Sequence, residues 1–357
     1  MANSTGVSTG DISYGLTKTM ALLLANILAP SITIVGVVAN GVSIAGFTRL
    51  GLRDSVTVSY FLLTISDFAF TISNLIIIVS MMFVQTGGQW YVDPLSLTTV
   101  IYPVYRIFYD LSNTITCYIA IARCCCVALP LKFRSTFTRS RTFGIIGVMY
   151  IGFFVEFAPL FANQGLHEVF LPALNVSRVI VWFSKDRDQI VKIIFDSING
   201  TSFLIITFLI SVICLIIIFN GLRLSSKFRM SLKTQPPPNE IDRVTDGKKN
   251  EQVKSSMSVL EIKVVQGVAL VVLISVSCNF PMICIAYSRL AVPELELGRA
   301  YNNLYFFIQN ISGFIISVKN SFNWVVYYNC NTRYRATLRS LFVKIGGFKL
   351  FSHEALV

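Results

Sequence analysis

Charge is what this sequence has least of. Asp, Glu, Lys and Arg make up 13% of its 357 residues, against about 25% in a soluble domain. A soluble globule of this length needs more polar surface than that. Histidine occurs only at His167 and His353. No Cys/His cluster has metal-ligand spacing, and no glycine-rich nucleotide loop is present. Metal sites, cofactors and the common enzyme chemistries are therefore not expected. Eight cysteines are present, but none falls in a segment that reads as an outer loop, so no extracellular disulfide framework is expected. The run Cys124-Cys125-Cys126 reads as small packing residues or, with Cys330, as a palmitoylation site. A basic start before an apolar stretch is also missing, so no cleavable signal peptide is expected and the first span reads as a signal anchor.

What is present is hydrophobic. Such residues make up 54% of the chain. Segments 19–48, 197–222 and 264–288 carry no Asp, Glu, Lys or Arg at all, and each is long enough for a hydrocarbon core that takes about 20 helical residues. Further spans, interrupted by single charges, are expected at about 55–84, 98–129, 142–162 and 300–328. That makes seven, an all-α membrane bundle.

The formal net charge of +12 invites a nucleic-acid partner, but its distribution argues against one. Segments 49–54, 123–142, 221–258 and 329–357 hold 20 of the 30 Lys and Arg residues. The opposite side holds only Lys18, Arg178, Lys185, Arg187, Arg289 and Arg299. By the positive-inside rule the N-terminus lies outside, in a multi-pass plasma-membrane protein. Sequons at Asn3 and Asn175 fall on that outer side and are compatible with glycosylation; those at Asn199 and Asn310 lie within spans.

The organisation follows: an outer tail (1–20), a seven-span domain (21–328) and a cytoplasmic tail (329–357). The loop at about 223–258 has three consecutive prolines and mixed charge, a composition that buries no core. Its basic ends suit continued helices near anionic lipid. The outer loop 163–191 carries Val179, Ile180, Val181 and Trp182, which suit a strand or an irregular loop equally. Beyond residue 328, Tyr334, Leu338, Leu341 and Phe342 recur at helical spacing between Arg333, Arg335, Arg339 and Lys344. This predicts a short amphipathic helix along the inner membrane surface, in contact with lipid.

Several short motifs occur in one order along these spans. They are Gly36 to Asn40, Leu63-Thr64-Ile65-Ser66-Asp67, Arg123 with Pro130-Leu131, Cys278-Asn279-Phe280-Pro281, and Asn323 to Tyr327 with Asn331, Tyr334 and Arg335. Together they resemble the rhodopsin-like (class A) G-protein-coupled receptor family, over about residues 30–342. The departures resemble lineage-expanded invertebrate chemosensory receptors such as the molluscan type. Ala122 replaces the acidic neighbour of Arg123, Cys124 the tyrosine, Asn279 the toggle tryptophan and Trp324 the last-span proline. The fourth span lacks its tryptophan, and Thr98 stands where the family has its disulfide cysteine.

The resemblance implies a receptor coupling an extracellular small molecule or peptide to a heterotrimeric G protein. It implies a sodium-binding core around Asp67, with Ser112, Asn320 and Asn323 at matching positions and Asn40 nearby. Lys319 falls where a neutral sodium-site residue usually stands. An ammonium at mid-membrane costs about 2.5–3.5 kcal/mol on insertion scales, so Lys319 is expected to pair directly with Asp67, with Asn40, Ser112 and Asn323 completing the hydrogen bonding. Arg123 is expected to lock to Glu261, and Pro281 to ease a swing of the sixth helix, with Tyr327 in the same switch. Tyr102, Tyr105, Arg106 and Tyr109 are expected to line the outer cavity. Arg106 either neutralises Asp110 four residues on or faces an anionic ligand group. Tyr105 stands where aminergic receptors have an aspartate, so a biogenic amine is not expected.

Two other functions compete with this one. A photopigment needs its retinal lysine where Ser317 stands. Lys319 is two residues on, about 200° around the helix. A seven-span channel or transporter could use the intramembrane charges, but the span number is odd, no repeat is visible, and the charge asymmetry opposes the orientation of insect-type odorant channels.

Overall fold

The computed structural model describes residues 19–346 apart from 21, 88–89, 130–132, 134, 173–174, 235–258 and 296–298. Seven long helices form one bundle. The first runs Leu24–Leu50, opening with a π-helical turn. The second is Ser55–Thr86, the third Pro94–Ala128 and the fourth Arg139–Ala162. The fifth begins at Arg187–Val191, widens into π-helix over Lys192–Phe203 and continues as Leu204–Thr234. The sixth is Val259–Ala291 and the seventh Asn302–Cys330. The fifth helix runs past the membrane-length segment, as its basic end suggested. Residues 248–258, expected to lead into the sixth, lie outside the described residues.

Local chemistry sets the ends. Asp54 caps the second helix by accepting from the amides of Val56 (3.1 Å) and Thr57 (2.9 Å), and Gly87 closes it at φ 68°, a left-handed conformation that glycine adopts without a Cβ clash. Asp93 caps the third helix at Ser96 N (2.8 Å), with Pro94 in the first turn, where its missing N–H costs nothing. Inside the spans, hydroxyls of Ser43, Thr64, Ser73 and Thr116 bond to a carbonyl one turn back, so they cross an apolar layer already satisfied.

Among the described residues, six helices are long and apolar enough to cross a membrane. The seventh has the length but not the hydropathy, because Lys319, Asn320, Ser321 and Asn323 are polar. All four are buried in the bundle, which is how a polar helix becomes a span. It also runs unbroken through Trp324, where the resemblance has proline.

The outer loop forms a β-hairpin: β1 (Gln164–Leu171) pairs antiparallel with β2 (Val176–Phe183). Of the two options for that loop the strand is the one formed, with Val179, Ile180 and Val181 opposite Glu168, His167 and Leu166. The hairpin is tied to the start of the third helix by Val179 N to Tyr91 O (2.8 Å) and Asp93 N to Val179 O (2.9 Å). All eight cysteines are free, so these backbone bonds stand where the resemblance has a disulfide. Outside the bundle, the Glu168 carboxylate beside Tyr91 pushes that phenol above its ordinary value. Asn175 sits exposed in the hairpin turn at φ 50°, a position asparagine tolerates; Asn3 lies outside the described residues.

The amphipathic helix forms as expected, over Thr332–Gly346, with Asn331 Oδ1 accepting from Tyr334 N (3.1 Å) at its start. Tyr334, Leu338 and Leu341 pack inward, whereas Phe342 is exposed. A Cβ on Gly46 of the first helix would come within 2.9 Å of Leu338, so that glycine is what lets the short helix approach.

Candidate functional site

The bundle interior holds a polar column. Its lower part centres on Asp67, which is fully buried. Ser112 Oγ donates to Asp67 Oδ1 (2.6 Å), and Asn323 Nδ2 donates to Asp67 Oδ2 (2.7 Å). Ser112 also reaches Asn320 Oδ1 (3.3 Å). Asn40 does not reach the carboxylate; its Nδ2 donates to the Asn320 carbonyl instead (3.0 Å), joining the first helix to the seventh. Five of the six expected core residues are thus brought together around or beside Asp67.

The expected Asp67–Lys319 ion pair is not formed. Lys319 is buried, and its Nζ donates to Oδ1 of Asn113, with the ring of Tyr109 5.5 Å away. The reason is helical rotation. One residue turns a helix by about 100°, so Asn323 meets Asp67 of the second helix and Asn320 meets Ser112 of the third, while Lys319 is carried past the carboxylate to Asn113 and Tyr109. Both Asp67 and Asp110 still act on Lys319 electrostatically.

Above Lys319 the column joins Asn113 and Ser275, which lie outside the motifs, to Asn279 and Tyr109, which the sequence singles out. Asn279 Nδ2 donates to Asn113 Oδ1 (2.9 Å) and Ser275 Oγ (3.3 Å), and Tyr109 OH donates to Asn279 Oδ1 (3.0 Å). Asn113 was missed, though it adjoins Ser112. The available signal was Asn279, an amide buried in a span, which needs a polar partner.

Toward the outer end, Arg106 and Asp110 form the in-helix pair at 3.4 Å. The Arg106 guanidinium also lies 5.0 Å from the ring of Tyr109. Phe70 packs against Tyr105 (4.7 Å) and Tyr109 (6.3 Å), and Tyr102 stacks on Tyr105 (5.7 Å). Tyr102 is 44% exposed and lies in the combined field of Arg106, Arg289 and Asp110. Arg289, on the sixth helix, sits 5.6 Å from the ring of Tyr305 on the seventh. The four expected cavity residues therefore share one aromatic cluster with a cation at its floor.

Two further polar ties bind the bundle. Asn74 donates to Thr33 Oγ1 (3.1 Å) and to Ser317 Oγ (3.0 Å), so the position of an opsin-type lysine is already used as a structural hydroxyl. Ser66 and Tyr150 share a 2.6 Å bond between the second and fourth helices.

At the inner end, Arg123 is buried, 5.5 Å from the ring of Phe133. It borders a small cavity lined also by Ala122, Ser59, Tyr118 and Thr142, and Ala122 is where the resemblance has an acid. The Glu261 side chain lies outside the described residues. Tyr327 is buried among Phe47 (5.4 Å), Tyr60 (4.7 Å) and Tyr334 (6.1 Å). The sixth helix continues through Pro281.

Residues 31–236, from the first helix through the fifth, match the family described as serpentine type 7TM GPCR chemoreceptor Srx. That is over half of the chain. None of the curated proteins compared with it is similar enough to match.

Proposed function

The chain belongs to the serpentine type 7TM GPCR chemoreceptor Srx family, and from that premise we propose that a small extracellular molecule or peptide end binds at Tyr102, Tyr105, Arg106 and Tyr109 and activates a heterotrimeric G protein. Family membership makes the chain a multi-pass membrane chemosensory receptor and not an enzyme. It supports the invertebrate chemosensory resemblance and gives it a nematode type in place of the molluscan one.

The observation that carries the ligand reading is the continuity of contacts inward from the aromatic cluster. Arg106 lies against Tyr109, and Tyr109 bonds to Asn279 of the sixth helix. A ligand group that draws Arg106 from Asp110 moves Tyr109, and with it the only side-chain bond described between Tyr109 and the sixth helix. An anionic or strongly accepting group suits this role, and the surrounding rings suit an organic scaffold.

On the inner side, Arg123, Glu261, Pro281 and Tyr327 form the coupling switch in this reading. Release of Arg123 from the Phe133 side follows outward movement of the sixth helix, which Pro281 weakens by removing a backbone hydrogen bond. The N-terminus faces outward, in keeping with the clustering of Lys and Arg on the opposite side and with an exposed sequon at Asn175.

The test is expression in a heterologous cell with calcium and cyclic-nucleotide readouts, against pooled small organic molecules and peptides. A ligand response that requires G protein and is lost on Arg106→Gln supports the reading. Ion current without G protein overturns it. A mobility shift on deglycosylation, absent in Asn175→Gln, checks the orientation.

A further inference from the structure

Rhodopsin-like receptors hold a sodium ion at the position of Asp67, and the donor set here does not fit one. Both Asp67 oxygens already accept hydrogen bonds, from Ser112 and Asn323. The Asn323 group turned toward the carboxylate is its NH₂, which has no lone pair to offer a metal. A hard cation needs several free oxygens. The Asn320 oxygen beside it takes a bond from Ser112, and its buried Nδ2 has no partner. Meanwhile a fixed positive charge is present. Lys319 is buried and holds Asn113, the residue next to Ser112. A second cation at Asp67 meets repulsion from that ammonium in a medium that screens poorly.

We propose that Lys319 is a permanent internal cation which stands in for the sodium ion, and that it serves Asp67 and Asp110 jointly without pairing with either. Three geometric facts support joint service. Lys319 bonds to neutral Asn113, its ammonium faces the ring of Tyr109, and no ion pair among the described residues joins it to either acid. Arg106 completes the set, so two cations offset Asp67 and Asp110 within the bundle core. The consequence is regulatory. Where a sodium ion can leave, a tethered ammonium cannot, so the receptor's balance of states is independent of sodium. Through Asn113 and Asn279 the same ammonium is wired to Tyr109, beneath the aromatic cluster.

The experiment uses full-length receptor purified in detergent, melted in sodium chloride and in choline chloride at equal ionic strength. Wild type is expected to melt at the same temperature in both. In Lys319→Ala the Asn113 oxygen loses its cation and the Asn323 amide is free to turn its oxygen toward Asp67, so sodium is expected to raise the melting temperature by about 2–4 °C, and Asp67→Asn in the same chain is expected to abolish that rise. A sodium-dependent shift in wild type, or none in Lys319→Ala, overturns the proposal. Should Lys319→Ala fail to reach the cell surface, the double variant Lys319→Ala/Asp67→Asn is expected to recover surface expression several-fold, since it removes the uncompensated carboxylate. A double variant no better than the single one overturns the proposal equally. Neither readout uses ligand or G protein, so its failure leaves the receptor reading standing.

Discussion

Tyr109 on the third helix donates a 3.0 Å hydrogen bond to Oδ1 of Asn279 on the sixth. Asn279 stands where the rhodopsin-like resemblance has a tryptophan. Here the contact is a directed bond, and it is made or broken as a unit. The aromatic cluster therefore meets the sixth helix through a directed bond as well as through the packing of Met282.

Tyr109→Phe keeps the ring and removes this bond. Asn279 Oδ1 is left buried without that partner, at a cost of about 1–3 kcal/mol. The melting temperature of purified receptor is expected to fall by several degrees, and the ligand dose–response curve to shift while surface expression holds. A variant that melts and signals as wild type does shows that the bond carries nothing.

The Arg106–Asp110 pair separates structure from recognition. Asp110→Asn takes from Arg106 its ion-pair partner in a nearly buried site, and breaking such a pair costs about 3–5 kcal/mol. Surface expression is expected to drop sharply. Arg106→Gln/Asp110→Asn removes both charges together and is expected to restore expression. If Arg106 also binds the ligand, the restored receptor stays silent to it. Flow cytometry on an N-terminal tag, with a calcium assay on the same cells, reads both effects.

Much of this arrangement was legible in the sequence, and the illegible part has one cause. Charge-free runs such as 197–222 and 264–288 announce helices because burial in lipid is a property of composition. The Asp67 environment followed from counting: Ser112 and Asn323 lie on the faces expected of them. Lys319 did not, because a motif fixes position along a helix more firmly than the direction in which a long side chain runs. Its four-carbon stem chose Asn113, a residue outside every motif. The hairpin stayed undecided because β propensity at Val179 to Val181 reflects a partner strand that local sequence does not reveal.

The tether of the hairpin predicts insensitivity to reduction. With every described cysteine free, β2 is held to the third helix by the Val179 bonds to Tyr91 and Asp93. Ligand response is expected to be unchanged by a reducing agent at a dose that inactivates a disulfide-tethered receptor in parallel. Asp93→Ala removes the cap at Ser96 N and Oγ, a loss of about 0.5–2 kcal/mol. It is expected to weaken ligand potency more than surface expression, since it loosens the outer end of the third helix.

The short helix after the last span predicts a defect that is set by size. Tyr334 OH donates to Ser43 Oγ (2.8 Å), its ring lies 4.6 Å from Phe47, and Leu338 fills the space over Gly46. Tyr334→Phe loses one buried bond and is expected to lower stability by about 1 kcal/mol. Gly46→Leu places a side chain where Leu338 now sits, and overpacking of that kind costs about 1–3 kcal/mol. The helix is then forced off the first span, and Tyr327, packed against both Phe47 and Tyr334, loses its surroundings as well. Coupling is expected to fall further than surface expression, because the proposed inner switch includes Tyr327. Paired measurement of G-protein activation and cell-surface receptor number decides it: equal losses in both mean that the short helix supports folding alone.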